Sequence, residues 1–259
     1  MASKAQEGIV ETVKTVVWAL LIAGVFRTLF YQPFWIPSGS MKDTLLIGDF
    51  LFVNKMAYGY SRYSCPFAAC PITGRLFTAE PERGDVVVFR HPANGSDFIK
   101  RLIGLPGDTV QVQDGIVYIN GVVAPQTDAG TFEEIKEPQG SQRGTPRCSN
   151  DPVGRGGICI KERFVETLPN GASHHILNIA NSAADNTPLY SVPAGHYFFM
   201  GDNRDNSQDS RFAVSSGGVG MLPAEYLIGR ADRIMFSSAG RSLFFFWTWR
   251  GDRFFKAVE

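Results

Sequence analysis

The polarity of the chain changes character along its length, and each change predicts a different kind of element. Residues 15–26 (TVVWALLIAGVF) are uncharged and mostly apolar. As a helix they cover only about 18 Å, short of the ~30 Å hydrocarbon core of a bilayer. Widening the run to residues 9–30 gives 22 positions and takes in Glu11, Lys14 and Arg27. The two cations lie near the ends, where long side chains reach the interface. Trp18 and the group Tyr31, Phe34 and Trp35 suit the two boundaries of such a span. An uncleaved membrane anchor is the favoured reading. A cleaved signal peptide is the second, although no small-x-small site follows the run, only the bulky RTLFYQPFW. A buried core helix is the third. Lys4 and Lys14 precede the run and Arg27 follows it, with Glu7 and Glu11 as offsets. Counting Lys and Arg alone sets the N-terminus inside by a narrow margin.

Beyond residue 35 the pattern becomes that of β-structure. A Gly-Asp pair opens a branched or aromatic run three times: Gly48-Asp49 before FLFV, Gly84-Asp85 before VVVF, and Gly107-Asp108 before TVQV. Gly-Asp supplies a turn, and the following residues supply a strand. TVQVQDGIVYINGVV reads as a hairpin turning at Asp114-Gly115, with a second turn at Asn120-Gly121. Pro169-Asn170-Gly171 links FVETL to SHHILNIA as another hairpin. Between about 125 and 160 periodicity is lost in favour of Gly, Pro, Gln, Ser and charge, which predicts a long surface excursion. Strand patterning resumes at HYFFM, and no long amphipathic helix follows residue 35. The prediction is a mainly β fold of two sheet-rich lobes after a single N-terminal transmembrane helix.

Composition narrows the function. Lys+Arg and Asp+Glu are both 25, so no basic excess exists to neutralise phosphates, and nucleic acid is not expected as a partner. The four cysteines form two local pairs, Cys65/Cys70 and Cys148/Cys159. In an exported domain they could close two short disulfide loops. Zinc held with His174 and His175 is a rival, though the spacing is not CxxC. Free, inert thiols are the third possibility.

Three polar segments could carry chemistry. In Ile36-Pro37-Ser38-Gly39-Ser40-Met41, two serines flank a glycine behind a rigid proline, and a serine there could attack a carbonyl beside oxyanion-holding N–H groups. In SDFIKRLIG, alternation puts Phe98, Lys100 and Leu102 on one face, where a desolvated lysine would lose its proton readily. In GDNRDNSQDSR (201–211), a calcium loop is disfavoured because position six lacks its glycine. Taken alone, each segment is better read as structural: a turn or helix cap, a surface lysine, and a solvated loop of Asp–Arg pairs. Lys42 is a rival base by proximity, but it would turn back on Ser40 awkwardly and is expected to be exposed. The four histidines lie in no hydrolase motif, and no Ser-x-x-Lys is present.

In order along the chain, the apolar anchor, PSGSM with TLLIGDFLFVNKMAYG, GDVVVFRHP, FIKRLIGLPGD and GDNRDNSQDSR resemble the bacterial type I signal peptidases over nearly the whole sequence. The resemblance implies a signal-peptidase-like fold. Residues 1–31 would be tail and anchor. Residues 32–108 and 198–259 would be a catalytic β domain with an extended ribbon at 57–81. Residues 109–197 would be an inserted non-catalytic β domain. It implies a membrane-bound serine endopeptidase that cuts exported preproteins after small-x-small residues. Ser40 would be the nucleophile and Lys100 the general base. Ser38 and the Ser40 N–H would form the oxyanion hole. Ser207 would hydrogen-bond Lys100, Asp209 and Arg211 would brace the site, and Gly201 would allow close passage. Phe34, Ile36, Leu51, Val88 and Ile99 would line shallow pockets. The implied partners are signal peptides and membrane lipid. The implied setting is the bacterial inner membrane, single-pass, with the catalytic domain outside, monomeric and without metal or cofactor. Two departures stand out. Asp43 occupies the place of the usual proline of SGSMxPTL, and AVSSGGVGML replaces a short link after DSRF, which predicts a longer loop. The tail SLFFFWTWRGDRFF is expected to be core, with an interfacial patch as the alternative.

Overall fold

The computed structural model describes residues 2–140, 143–240 and 245–258. Helix α1 spans Ala2–Leu29. Its 22-residue segment Gly8–Leu29 contains an 18-residue window of mean hydropathy 1.9, and none of that window is buried in the protein. A helix that leaves its apolar side chains outside the core is not a core helix, and about 33 Å of it suffices to cross a bilayer. The chain passes from it directly into a sheet: the Phe30 carbonyl accepts from the Lys55 N–H at 2.9 Å, and the Tyr60 hydroxyl donates to the Leu29 carbonyl at 2.7 Å.

The rest is β-structure with short 3-10 turns. The strands are β1 (Tyr31–Trp35), β2 (Asp49–Asn54), β3 (Tyr60–Ser61), β4 (Arg75–Leu76), β5 (Val86–Arg90), β6 (Asp97–Gly104), β7 (Thr109–Gln113), β8 (Ile116–Ile119), β9 (Val122–Val123), β10 (Gln126–Ile135), β11 (Ile158–Thr167), β12 (Ser173–Asn178), β13 (Tyr190–Ser191), β14 (His196–Met200), β15 (Leu222–Pro223) and β16 (Leu227–Ser237). Among the described residues they form a seven-stranded sheet, β1-β2-β16-β5-β6-β14-β15, with a three-stranded sheet β10-β11-β12, a four-stranded sheet β13-β7-β8-β9 and the two-stranded ribbon β3-β4. The smaller sheets of β7–β13 are thus inserted between β6 and β14 of the large one.

The Gly-Asp repeats show how local chemistry builds this frame. Gly48, Gly84 and Gly107 sit at φ +94, +100 and +89, where a side chain would be strained. Each following aspartate turns its carboxylate back onto the N–H three residues earlier: Asp49 to Leu46 at 2.7 Å, Asp85 to Glu82 at 3.0 Å and Asp108 to Leu105 at 2.6 Å. β2, β5 and β7 start from these turns. The hairpin at Asp114-Gly115 forms with both residues at positive φ, +48 and +78, and the Leu168 N–H to the Ala172 carbonyl and the Gly171 N–H to the Leu168 carbonyl, both at 2.8 Å, close the one at Pro169-Asn170-Gly171.

Two expectations need correction, and one choice among alternatives is decided. The excursion predicted from about 125 to 160 begins with a ten-residue strand, β10, paired antiparallel with β11. Its side chains are largely exposed and a bulge interrupts Asp128–Thr131, so no apolar alternation marks it. The irregular part starts at Lys136, and residues 141–142 lie outside the described set. The tail is not core. Phe246 and Trp247 are 69% and 67% exposed, and Phe245, Trp249 and Phe255 are also exposed. The backbone there folds along the sheet rim, held by Arg250 to the Ile47 carbonyl and by Arg253 to Asp49, which turns the rings outward. Residues 242–244 of this tail lie outside the described residues. Finally, Cys65–Cys70 closes the tip of the ribbon and Cys148–Cys159 ties the excursion to β11, so neither the zinc reading nor the free-thiol reading holds.

Candidate active site

The Ser40 turn is made where two paired strands separate. Ile36 still bonds the start of β2 and the residue before it (Ile36 N–H to the Asp49 carbonyl at 2.9 Å, Gly48 N–H to the Ile36 carbonyl at 3.0 Å), so residues 37–47 are extruded as a closed loop. Met41 and Leu45, both fully buried, pin it to the core shared by Ile36, Leu51 and Val53. A second loop, 201–211, grips it from above: the Asn203 N–H donates to the Ser40 carbonyl at 3.1 Å and the Asn203 side-chain amide to the Gly39 carbonyl at 2.9 Å. Among the described residues the Ser40 N–H donates to no protein acceptor. The Ser38 hydroxyl lies 3.4 Å from that of Ser40.

β6 brings Lys100 to this loop. Its Nζ donates to Ser40 Oγ at 2.6 Å and to the Ile99 carbonyl at 3.1 Å. The Phe98 ring lies 5.4 Å away, and Lys100 is only 4% exposed. Desolvation lowers its pKa to about 8, against the opposing pull of Asp209 and Asp202. A lysine of this kind is a usable base near neutral pH, and it already holds the hydroxyl it would deprotonate.

Asp209 acts on Lys100 more strongly than Asp202 does. Burial opposes its charge, but Arg211 grips it at 2.9 and 3.0 Å and the Gly201 N–H donates at 3.1 Å, so its pKa stays below the ordinary value. Arg211 also donates to the Arg204 carbonyl at 2.5 Å. Gly201 is needed for space: a Cβ there would stand 2.3 Å from Ser207 Oγ and 2.6 Å from the Ser40 carbonyl. The expected Ser207–Lys100 hydrogen bond is not formed. Ser207 Oγ is buried without a hydrogen-bond partner among the described residues. The loop's grip on the Ser40 and Gly39 carbonyls through Asn203 sets its height over the dyad.

Residues 9–236 match the family model "Signal peptidase, peptidase S26". The signal peptidase I of Rickettsia typhi is 42% identical over 231 residues, covering 85% of this chain and 78% of the relative, and that of Rickettsia prowazekii is 40% identical over the same shares. This chain belongs to the signal peptidase family. A solved signal peptidase I from Enterococcus faecalis shares 26% identity, covering 59% of this chain and 97% of that one with a TM-score of 0.30; membership rests on the sequence matches. The chain is accordingly a serine protease of the signal peptidase I class, whose activity is cleavage of signal peptides from preproteins, and α1 is its membrane anchor.

Beside Ser40 and Lys100 of this signal peptidase the structure gathers the five expected pocket residues into one cluster. Ile36, Leu51 and Val88 are buried, while Phe34 and Ile99 are partly exposed against them. Strand register explains the grouping: Phe34 faces Leu51 across β1–β2, and Val88 faces Ile99 across β5–β6. Lys42 departs from expectation. It is buried, not exposed, and donates to Glu134 at 2.5 Å and to Gln139 at 2.8 Å rather than to Ser40. Burial lowers its pKa while Glu134 opposes the shift, and an ammonium so engaged is no rival base.

Sequence reasoning missed a second layer of charge. Arg101 holds Asp202 through two bonds of 2.8 Å, and the Thr44 hydroxyl donates to the same carboxylate at 2.5 Å. Glu166 of β11 holds Arg204 at 2.8 and 2.5 Å, with His174 Nε2 3.4 Å away. The available signal was Arg101 itself: on strand β6 an arginine next to Lys100 must face the opposite side, so both faces there carry charge that needs a partner.

Proposed function

We propose that the chain is a membrane-bound serine endopeptidase that removes signal peptides from exported preproteins with a Ser40/Lys100 dyad. The observation that carries this reading is the 2.6 Å contact between a buried lysine and a serine hydroxyl. Lys100, when neutral, takes the Ser40 proton as the hydroxyl attacks the scissile carbonyl. The Ser40 N–H and the Ser38 hydroxyl receive the developing oxyanion. Protonated Lys100 then gives its proton to the leaving amine. A water deprotonated by the same lysine releases the acyl group from Ser40.

The apolar cluster of Ile36, Leu51 and Val88 with the partly exposed Phe34 and Ile99 supports selection of small apolar side chains, with bulk rejected by clash, as in an Ala-x-Ala site. α1 ends immediately before β1, which supports chemistry at the membrane surface; the surface proposed is the outer one of the bacterial inner membrane. Nucleophile, base and oxyanion donors all come from one chain, which suits a monomer contacting only lipid and signal peptide. The test is mass spectrometry of the product formed from a defined preprotein by the detergent-solubilised full chain. Ser40→Ala and Lys100→Met are expected to abolish cleavage at the Ala-x-Ala site, and Ser38→Ala to lower kcat about a hundredfold. Wild-type cleavage by both dyad variants would exclude the dyad.

A further inference from the structure

The three residues that follow the nucleophile turn are each tied to a different element. Lys42 reaches β10 and the excursion through Glu134 and Gln139, with side chains only 5% and 10% exposed for Lys42 and Glu134. Asp43 reaches β12 through His175 Nδ1 at 3.2 Å and β11 through Arg163 at 3.5 Å. Arg163 is itself fixed by two bonds to the Ala129 carbonyl, 3.1 and 2.9 Å. Thr44 reaches the 201–211 loop through Asp202 at 2.5 Å. The excursion also leans on the turn directly: a Cβ on Gly140 would stand 3.1 Å from the Pro37 carbonyl and 2.8 Å from Ile47.

The two ties to the inserted sheet have opposite polarity, a cation at 42 and an anion at 43. A one-residue slip of the turn would place each against a like charge, so the pair defines a single setting of the backbone that carries Ser40. Asp43 also stands where the resembled pattern has a proline. Proline would stiffen this turn through its fixed φ. Among the described residues the Asp43 N–H donates no hydrogen bond, so a proline would forfeit none.

We infer that the inserted sheet is a positioning device for the nucleophile, and that Asp43, paired with Arg163 and in contact with His175, does through these contacts what the proline would do covalently. The inference rests on Ser40 being the nucleophile. Asp43 is a positioning residue and touches no reacting atom. Arg163 and His175 are 31% and 45% exposed, so their pairing with Asp43 adds little to global stability. Its effect belongs to turnover, where a small misplacement of a reacting group can cost up to about a hundredfold.

The experiment compares Asp43→Ala, Asp43→Pro and the double variant Arg163→Ala/His175→Gln as full chains in detergent on one preprotein, with Ser40→Ala alongside. Asp43→Ala is expected to lower kcat about tenfold with KM and Tm unchanged, and the double variant to match it. Asp43→Pro is expected to restore kcat to within about threefold of wild type. Wild-type kcat in Asp43→Ala, or in the double variant, would overturn the inference. So would an Asp43→Pro protein that melts normally yet is no faster than Asp43→Ala. Cleavage by Ser40→Ala would instead overturn the dyad, and the two failures are therefore distinct.

Discussion

At the scale of the residue, the decisive quantity is the proton on Lys100. An unperturbed lysine at pH 7 is neutral in roughly three molecules per ten thousand; with a pKa of about 8 it is neutral in about one in ten. Burial therefore raises the working fraction of base by a few hundredfold. The sign is fixed by which form reacts. In the proposed dyad neutral Lys100 is the base, so kcat/KM is expected to rise tenfold per pH unit below about 8 and to level off above it, as measured by initial rates from pH 6 to 10. A flat profile would assign the proton to another group. Asp209 and Asp202 pull the value upward. Asp209→Asn is therefore expected to move the rising limb to lower pH, in the same rate measurement. Little of this was legible beforehand. The serine and lysine are 60 residues apart, and by its own chemistry each fitted a turn or an exposed strand better than a dyad. Only the ordered motifs joined them. Lys42 shows the converse error: its partner Glu134 lies 92 residues away, and no local pattern announces a buried ion pair of that span.

At the scale of the element, what could be read in advance was chemistry confined to a few residues. The Gly-Asp turns and the Asp114-Gly115 hairpin need only φ > 0 and a short carboxylate, and they formed where expected. β10 was unreadable because both its faces are largely exposed; without a core to face, alternation has no cause. That strand and its neighbours nonetheless carry Glu166, whose buried pair with Arg204 joins the inserted sheet to the catalytic loop. Burial opposes the charge of Glu166, but Arg204 and His174 hold its pKa far below the ordinary value. Such a carboxylate contributes stability above its unfolded pKa, near 4.3, and loses it as pH falls. Glu166→Ala leaves a buried guanidinium without its counter-charge and is expected to cost about 3–5 kcal/mol, read by urea unfolding at pH 7. The double variant Glu166→Met/Arg204→Met is expected to recover most of that loss, because a missing pair costs less than an orphaned charge.

At the scale of the molecule, the anchor and the sheet share one aromatic surface. Ring centroids step from Phe26 to Tyr31 at 6.4 Å, to Phe52 at 6.2 Å, to Phe50 at 6.5 Å, to Phe236 at 4.8 Å and to Trp249 at 5.9 Å. Phe50 and Phe52 take the outer face of β2 while Leu51 and Val53 take the core. The path starts on the membrane-spanning helix and runs on from Trp249 to Phe254 at 6.0 Å, in the same tail that exposes the rings of Phe246 and Trp247. Rings that leave the core yet stay contiguous with a transmembrane helix suit the headgroup layer, where an apolar body and a polar edge are both satisfied. This face of the sheet is therefore expected to lie on the bilayer, holding the active site at the surface rather than at the end of a free tether. The chain carries Trp18, Trp35, Trp247 and Trp249, so a variant keeping only Trp247, with phenylalanine at the other three, reports on the tail alone. In nanodiscs its emission is expected to be quenched by lipids brominated near the headgroup and protected from aqueous acrylamide. Strong acrylamide quenching without lipid quenching would place the tail in water, and the sheet would then be tethered by α1 alone.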